Sequence, residues 1–379
     1  MASAGHTGAV PEPLRVCHVI HSLGPGGAEA VLVDLAQAAS QARLQLSVVS
    51  LTPTDGEPYN AARLRAAGVS VTAVPASTRW SPVGLQRGVR SIRRTQPDVI
   101  HSHLKHADLV GAAASQRLGV PLVSTLHLIE DAVTPLGRGK RWLAAQARVR
   151  RAAATIAVSA ALRDWYTECF RVDPSRVHVI PNGVTRPTIE PSARTRLRDS
   201  FGIAPDETVA VMVGIMRPGK GHEELLDALT HVDVGVRFLF VGDGPLRAEL
   251  EARAASLRPG RVIFTGFRTD VADLLGAADI VVHPSLFDAL PTALISALAV
   301  GRPIIATHVG GIPEIVTPDV GVLVEPGDPA ALGEAVTTMA RNPRTRAQLS
   351  AAARRRYETQ FEADLWARRL RAVYDEVRP

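Results

Sequence analysis

Lysine is nearly absent from this 379-residue chain: Lys105, Lys140 and Lys220 are the only three among 43 basic residues. Each one raises the question of what its ammonium does that an arginine does not. Cysteine is scarcer still. Cys17 and Cys169 lie far apart and outside any CxxC spacing, which excludes a disulfide framework and favours a reducing compartment. Aromatic residues make up 4% and form no stacking motif, and no zinc spacing occurs, so nucleic acid is set aside as a partner despite the net charge of +6. No apolar run reaches the roughly 18 residues of a spanning helix. Residues 1–13 lack the basic start and apolar run of a signal peptide and read as a loose Gly/Pro-containing leader. The expected location is therefore the cytoplasm.

The apolar fraction is 46% and the charged fraction 21%, the balance of a folded protein. A chain of this length supports about two domains of ~100–200 residues. Its core needs no metal or disulfide staple. The excess of 43 basic over 37 acidic residues suits a phosphorylated metabolite or a membrane surface.

Short apolar runs alternate with Ala/Leu/Arg-rich amphipathic segments. In the first half they predict strands at 16–23, 46–51, 69–74, 99–101, 122–126 and 155–158. In the second half strands are predicted at 177–180, 209–213, 238–241, 262–264, 280–283 and 303–306. Such runs between helix-like segments are the pattern of parallel βαβ units, and two sets of them predict two doubly wound domains. The joint falls at Pro181-Asn182-Gly183, a turn signal before the Pro/Thr/Arg-rich stretch 185–194. The expected domains are thus 14–183 and 184–359. A terminal helix within about 360–379, with Leu365, Trp366, Leu370, Val373 and Tyr374 at helical spacing, is expected to pack back on the first domain.

Three segments carry chemistry. Gly24-Pro25-Gly26-Gly27-Ala28-Glu29 joins a strand to a helix, where glycine lets backbone approach a ligand and a helix N-terminus favours an anion. It is not GxGxxG, so a dinucleotide fingerprint fails, and a plain tight turn is the other reading. Gly214-Ile215-Met216-Arg217-Pro218-Gly219-Lys220-Gly221-His222 follows a strand and precedes a helix from about Glu223. Arg217 and Lys220 there suit a diphosphate, a solvated loop being the alternative. In His283-Pro284-Ser285-Leu286-Phe287-Asp288-Ala289-Leu290-Pro291-Thr292, Asp288 is placed to cap a helix beginning near Leu290. Ser296 lies eight residues on, about 80° around that helix and roughly 12 Å along it.

In this order and spacing, over about 14–379, these segments resemble glycosyltransferase family 4, retaining enzymes of the GT-B fold. Further matching segments are Asp98–His103, Thr125–His127, Val179–Val184, Gly242–Pro245, Phe264–Phe267 and Gly310–Glu314. The resemblance implies an α/β chain of two Rossmann-like domains with an interdomain cleft, the second binding a nucleotide-diphospho-sugar and the first serving the acceptor. It implies that Lys220 and Arg217 neutralise the diphosphate, with Gly26 and Gly27 approaching it and the N–H groups of Leu290 and Thr292 adding to its binding. The base would lie near Phe267 and Arg268. His127 matches the active-site histidine beside the transferring sugar, and His103 an acceptor-side contact, a buried structural histidine being the alternative. The nucleotide sugar is a substrate; no cofactor and no metal is implied.

Two departures stand out. The family usually has glutamates where this chain has Asp288 and Ser296. Asp288 keeps a carboxylate one methylene shorter and stays the candidate catalytic acid group. Ser296 loses the charge that would grip the ribose, a contact on the order of 1.5–3 kcal/mol. Ile215 replaces a common arginine, for which Arg217 is the nearest substitute. The basic stretch 137–151, with Trp142 and no acidic residue, offers a peripheral contact with anionic lipid, a solvated face being the alternative. Arg87, Arg90, Arg93 and Arg94 are expected to face water.

The leading expectation is a retaining, metal-independent glycosyltransferase acting on a glycan, lipid-linked or small-molecule acceptor. Two alternatives are a related binding subunit that has lost turnover, prompted by Ser296, and a nucleotide-sugar epimerase.

Overall fold

A computed structural model describes residues 12–52, 58–74, 82–128, 142, 145–257 and 259–378. The chain divides into two compact units. One is made of Met1–Thr125, Gly139–Thr155 and Ala367–Pro379, the other of Leu126–Arg138 and Ile156–Trp366.

The first sheet contains β1 Leu14–Ile20, β2 Leu44–Ser50, β3 Ser70–Ala73, β4 Val99–His103, β5 Leu122–Leu126, β6 Ala152–Ala157 and β7 Val177–Val179, ordered β3-β2-β1-β4-β5-β6-β7. The second contains β8 Thr208–Val213, β9 Val236–Val241, β10 Val262–Gly266, β11 Ile280–His283, β12 Ile304–Thr307 and β13 Gly321–Val324. Its order is β10-β9-β8-β11-β12-β13, with every neighbouring pair parallel.

All twelve predicted strands are present, with ends moved by up to three residues. Parallel strands covered on both faces read as unbroken apolar runs, and 209–212 is buried throughout for that reason. The strand that was not predicted is β13. Gly321-Val322-Leu323-Val324 is too short to show a period and becomes a strand because β12 offers it partners, from Ile304 opposite Gly321 to Thr307 opposite Val324.

In the first unit the core gathers Cys17 and Val19 from β1, Val49 from β2, Ile100 from β4, Leu122 from β5 and Ile92 from the helix Pro82–Arg94. The same helix leaves Arg87, Arg90, Arg93 and Arg94 exposed. Tyr374 is buried in this unit, its hydroxyl 2.6 Å from His101 Nδ1, and Arg371 donates to the carbonyls of Ala42 and Arg43 at 3.3 and 3.0 Å. In the second unit the core is built around Met212, Phe238 and Phe240 of β8 and β9, with Leu225, Leu226 and Val336 from the helices above them. There Val184 pairs with Glu362, and a Cβ on Gly183 would stand 2.6 Å from Trp366 Cβ.

The basic stretch 137–151 needs a correction. Arg148 turns inward: it is buried and ion-paired with Asp108, and its Nε donates to Ser124 Oγ at 2.9 Å. Asp108 also accepts from Ser102 Oγ at 2.7 Å and Ser124 Oγ at 2.6 Å, the set of donors a buried carboxylate requires. Arg150, Arg151 and Trp142 are exposed, while residues 137–141, 143 and 144 lie outside the described residues. Among the described residues no helix is long and apolar enough to cross a membrane.

Candidate active site

The strand order of the second sheet reverses between β8 and β11. Chains leaving such neighbours diverge and open a crevice at their carboxyl ends, where ligands of doubly wound sheets bind. The exits there are 214–221 after β8 and 284–291 after β11.

Glycine lets these exits touch. Gly221 has φ +87, and a Cβ there would stand 2.1 Å from the carbonyl oxygen of Pro284. Gly219 O accepts from Leu286 N at 3.0 Å and Ser285 Oγ at 3.1 Å, tying the two loops. Beside them Gly214 N donates to Val241 O and Met216 N to Asp243 O, each at 3.0 Å. The glycine turn after β9 is thereby laced to the turn after β8.

Two charges meet across this seam. Lys220 Nζ donates to Asp288 Oδ2 at 2.6 Å, and His283 Nε2 lies 3.2 Å from the same oxygen. All three are shielded, with side-chain exposures of 19%, 12% and 4% for Lys220, Asp288 and His283. Burial works against the Asp288 carboxylate, but the hydrogen bond from His283 and the ammonium of Lys220 outweigh it and hold the group at about 2. Behind them His222 is buried, and burial, aided by the charges of His283 and Lys220, pulls its imidazole down to about 4. Neither His222 ring nitrogen has a hydrogen-bond partner among the described residues; its ring meets Phe240 edge-on at 5.5 Å.

The expected capping role of Asp288 is corrected. The helix is Thr292–Ala299, Pro291 holds its N-cap position without a side-chain bond, and the Asp288 carboxylate faces Lys220 and His283 instead. A cationic partner across the seam outcompetes backbone amides three or more residues on. The backbone of Asp288 is pinned too, its carbonyl accepting from Gly311 N at 3.1 Å. Glu314 of the same Gly310–Glu314 segment accepts from the N–H groups of Ala160 and Ala161 at 2.9 and 3.0 Å, completing the N-terminus of the helix Ala160–Phe170.

Other candidates also belong to the second unit. Leu290 is buried, Thr292 opens the helix, and Ser296 lies half-buried one turn further on. Arg217 is exposed on the β8 exit. Phe267, after β10, is 49% exposed, and Arg268 is paired with Asp270 at 2.6 Å. His127 follows β5 directly and is half-buried.

The first sheet reverses order between β1 and β4. Here His18, opposite His101, and His103 form a buried group: His18 Nδ1 lies 2.9 Å from His103 Nε2, and His101 Nε2 lies 2.7 Å from Thr125 Oγ1. Three ligand atoms of this group lie within 4.8 Å of one another. The rings are stacked or tilted at 21–35°, and hydroxyls flank both nitrogens of His101. Burial pulls His18 down to about 3, leaving it neutral. Gly26 caps the helix Gly27–Ala38, and the space beside it holds Glu29: a Cβ on Gly26 would meet Glu29 Oε2 at 2.2 Å. Burial raises the Glu29 carboxyl.

Within their sequence motifs His222 and His283 show no role of their own. The available signal was a histidine ending a strand five residues before an aspartate; only the seam shows why that spacing matters.

The model for glycosyltransferase family 4 matches residues 25–186, and that for glycosyl transferases group 1 matches residues 193–356. A D-inositol 3-phosphate glycosyltransferase of Xylanimonas cellulosilytica is 32% identical over 284 residues, 68% of this chain and 67% of that protein. A putative teichuronic acid biosynthesis glycosyltransferase, TuaC of Bacillus subtilis, is 29% identical over 80% of this chain and 78% of its own length. Among solved structures, Anabaena HepE in complex with UDP and glucose superposes with a TM-score of 0.84 at 25% identity, over 96% of this chain and 100% of that one. The Xylanimonas and Bacillus relatives are named as glycosyltransferases, and the comparisons favour neither the epimerase nor the binding-subunit alternative. Its two Rossmann-like sheets, the paired family matches and these relatives together make the chain a glycosyltransferase of family 4, with the GT-B fold.

Proposed function

We propose that the chain moves a glycosyl group from a nucleotide-diphospho-sugar to an acceptor hydroxyl, with retention at the anomeric carbon. The observation that carries this reading is the Lys220 ammonium, held 2.6 Å from Asp288 at the switch point of the second sheet. The glycine-rich exit of β8 and the N-terminus of the helix Thr292–Ala299 belong to the same edge.

The chemistry follows from charge. Breaking the sugar–phosphate bond builds positive charge on the ring and negative charge on the diphosphate. Lys220, with Arg217 on the same loop, offsets the latter, as do the N–H groups of Leu290 and Thr292. Asp288, ionised throughout the neutral range, accepts a hydrogen bond from a hydroxyl of the transferring sugar and stabilises its developing charge, with His127 beside that sugar. The departing phosphate takes the acceptor's proton. Phe267 and Arg268 flank the base, and Ser296 meets the ribose with a hydroxyl. Gly26 and Gly27 remain candidates for the diphosphate and His103 for the acceptor. No metal is assigned a role.

HepE, a protein solved with UDP and with UDP-glucose, supports a nucleotide-sugar donor. The relatives' names mention an inositol phosphate and teichuronic acid biosynthesis, and this chain's acceptor is proposed only as a hydroxylated glycan, lipid-linked or small molecule. Free thiols at Cys17 and Cys169 suit a cytoplasmic location, where nucleotide sugars are made.

The test is a panel of UDP-, GDP- and ADP-sugars read by thermal shift, since a ligand of the folded state raises its melting temperature. A donor that stabilises the protein and is slowly hydrolysed to an α-configured product from an α-linked donor supports the reading. Absence of any shift, or inversion of the anomer, overturns it.

A further inference from the structure

We infer that His283 is a positioning residue: from the end of β11 it locks one oxygen of the Asp288 carboxylate and turns the other toward the ligand. The inference rests on the proposed role of Asp288 and adds a residue to which that reading gives no part.

The geometry is specific. Both donors, Lys220 Nζ at 2.6 Å and His283 Nε2 at 3.2 Å, converge on Oδ2. Oδ1 receives neither. An ionised carboxylate only accepts, so the His283 nitrogen facing it carries the proton, which fixes the ring's tautomer or charge. His283 is itself 4% exposed, at the last position of a strand paired on both sides. Lys220 alone is a poor guide for a carboxylate, because an ammonium on a four-carbon stem donates in any direction. A planar ring fixed to a strand end restricts the carboxylate to one rotation.

The backbone agrees. Ser285 Oγ shares its one proton between Gly219 O at 3.1 Å and Phe287 O at 3.0 Å, and Gly311 N donates to Asp288 O at 3.1 Å, so the main chain on both sides of the carboxylate is tethered. The side chain at 288 is one methylene shorter than glutamate. Anchored at this backbone position, it reaches back to the strand end five residues earlier. His283 and Asp288 therefore act as a pair, in which the short acid depends on the ring.

The experiment has two arms. In the ligand-free protein, the ¹³C resonance of the Asp288 carboxyl is titrated in wild type, His283→Leu and His283→Gln. Leucine is expected to raise the carboxyl's titration by roughly one pH unit, a tenfold change in proton affinity. Glutamine, which keeps an N–H donor, is expected to restore most of the difference. In the second arm, turnover of the donor chosen by thermal shift is measured in a double-mutant cycle with Asp288→Asn. His283→Leu alone is expected to lower kcat about tenfold with donor KM changed less than about twofold, glutamine to rescue, and leucine to cost almost nothing more once residue 288 is Asn. An unmoved carboxyl titration, or losses that multiply in the double variant, overturns the inference. A wild type that binds no nucleotide sugar defeats the proposed function instead, and the carboxyl titration still decides the role of His283.

Discussion

The two sheets share one strand order around their switch points, β3-β2-β1-β4 in the first and β10-β9-β8-β11 in the second, yet they fill the same place with opposite chemistry. Opposite residues in the first are His18 and His101; the corresponding strands of the second pair Ala210 with Ile280 and Val211 with Val281. The first unit thus buries imidazoles within the sheet, where desolvation keeps His18 uncharged and hydrogen bonds hold the group together. The second pairs apolar residues at the same place and sets the Lys220–Asp288 pair just beyond the strand ends, where glycine turns let two loops touch. Topology supplies an edge with a gap. Whether the gap holds neutral hydrogen bonds or an ion pair is decided by a few side chains.

The comparison breaks most visibly at Lys220. Lys220→Ala removes the ammonium and leaves a shielded carboxylate with one donor. Donor turnover is expected to fall about 10²–10³-fold, the usual loss for one preorganised electrostatic group, measured as kcat/KM for the donor. His103→Ala, in the other switch point, is expected to leave the melting shift produced by nucleotide alone unchanged.

Acid sharpens the contrast. His18 titrates near 3 in the folded protein against about 6.5 unfolded, so the unfolded chain binds the extra proton and stability falls as pH drops from 6.5 towards 3. One such group contributes a slope of about 1.4 kcal/mol per pH unit in that window. His222 adds a similar slope from 6.5 down to about 4, and Asp288, depressed to about 2, adds its own only below its unfolded value near 3.8. Denaturant titrations at stepped pH are expected to show a shallower acid limb in His18→Asn, while Asp288→Asn changes it only below about pH 4.

Gly221→Ala tests the seam without touching charge. With φ +87 and Pro284 O 2.1 Å from the new Cβ, the variant is expected to lose about 2 kcal/mol of stability by denaturant melt. The smallest effect is expected from Ser296→Glu: donor nucleotide binding by calorimetry tightens roughly tenfold if the ribose lies there.

Much of this was legible in the chain. Buried parallel strands are mostly apolar, so twelve of them show as runs, and the terminal helix Ala363–Val377 shows in its spacing. The motif at 283–292 was legible as chemistry, but its internal wiring was not. Asp288 reads in the chain as a cap for the nearest helix N-terminus, since capping is the interaction a sequence displays. Arg148 was grouped with its basic neighbours for the same reason, although its partner Asp108 lies 40 residues away. What the amino-acid order determined by itself is the alternation of apolar and amphipathic segments and the glycine-bearing turns at strand ends, because these depend on periodicity and on backbone freedom within a few residues. Which carboxylate meets which cation, and which histidines end up neutral, was decided only when the sheets brought distant residues within 3 Å or so and removed the water between them, because charge interactions depend on distance and burial, not on separation along the chain.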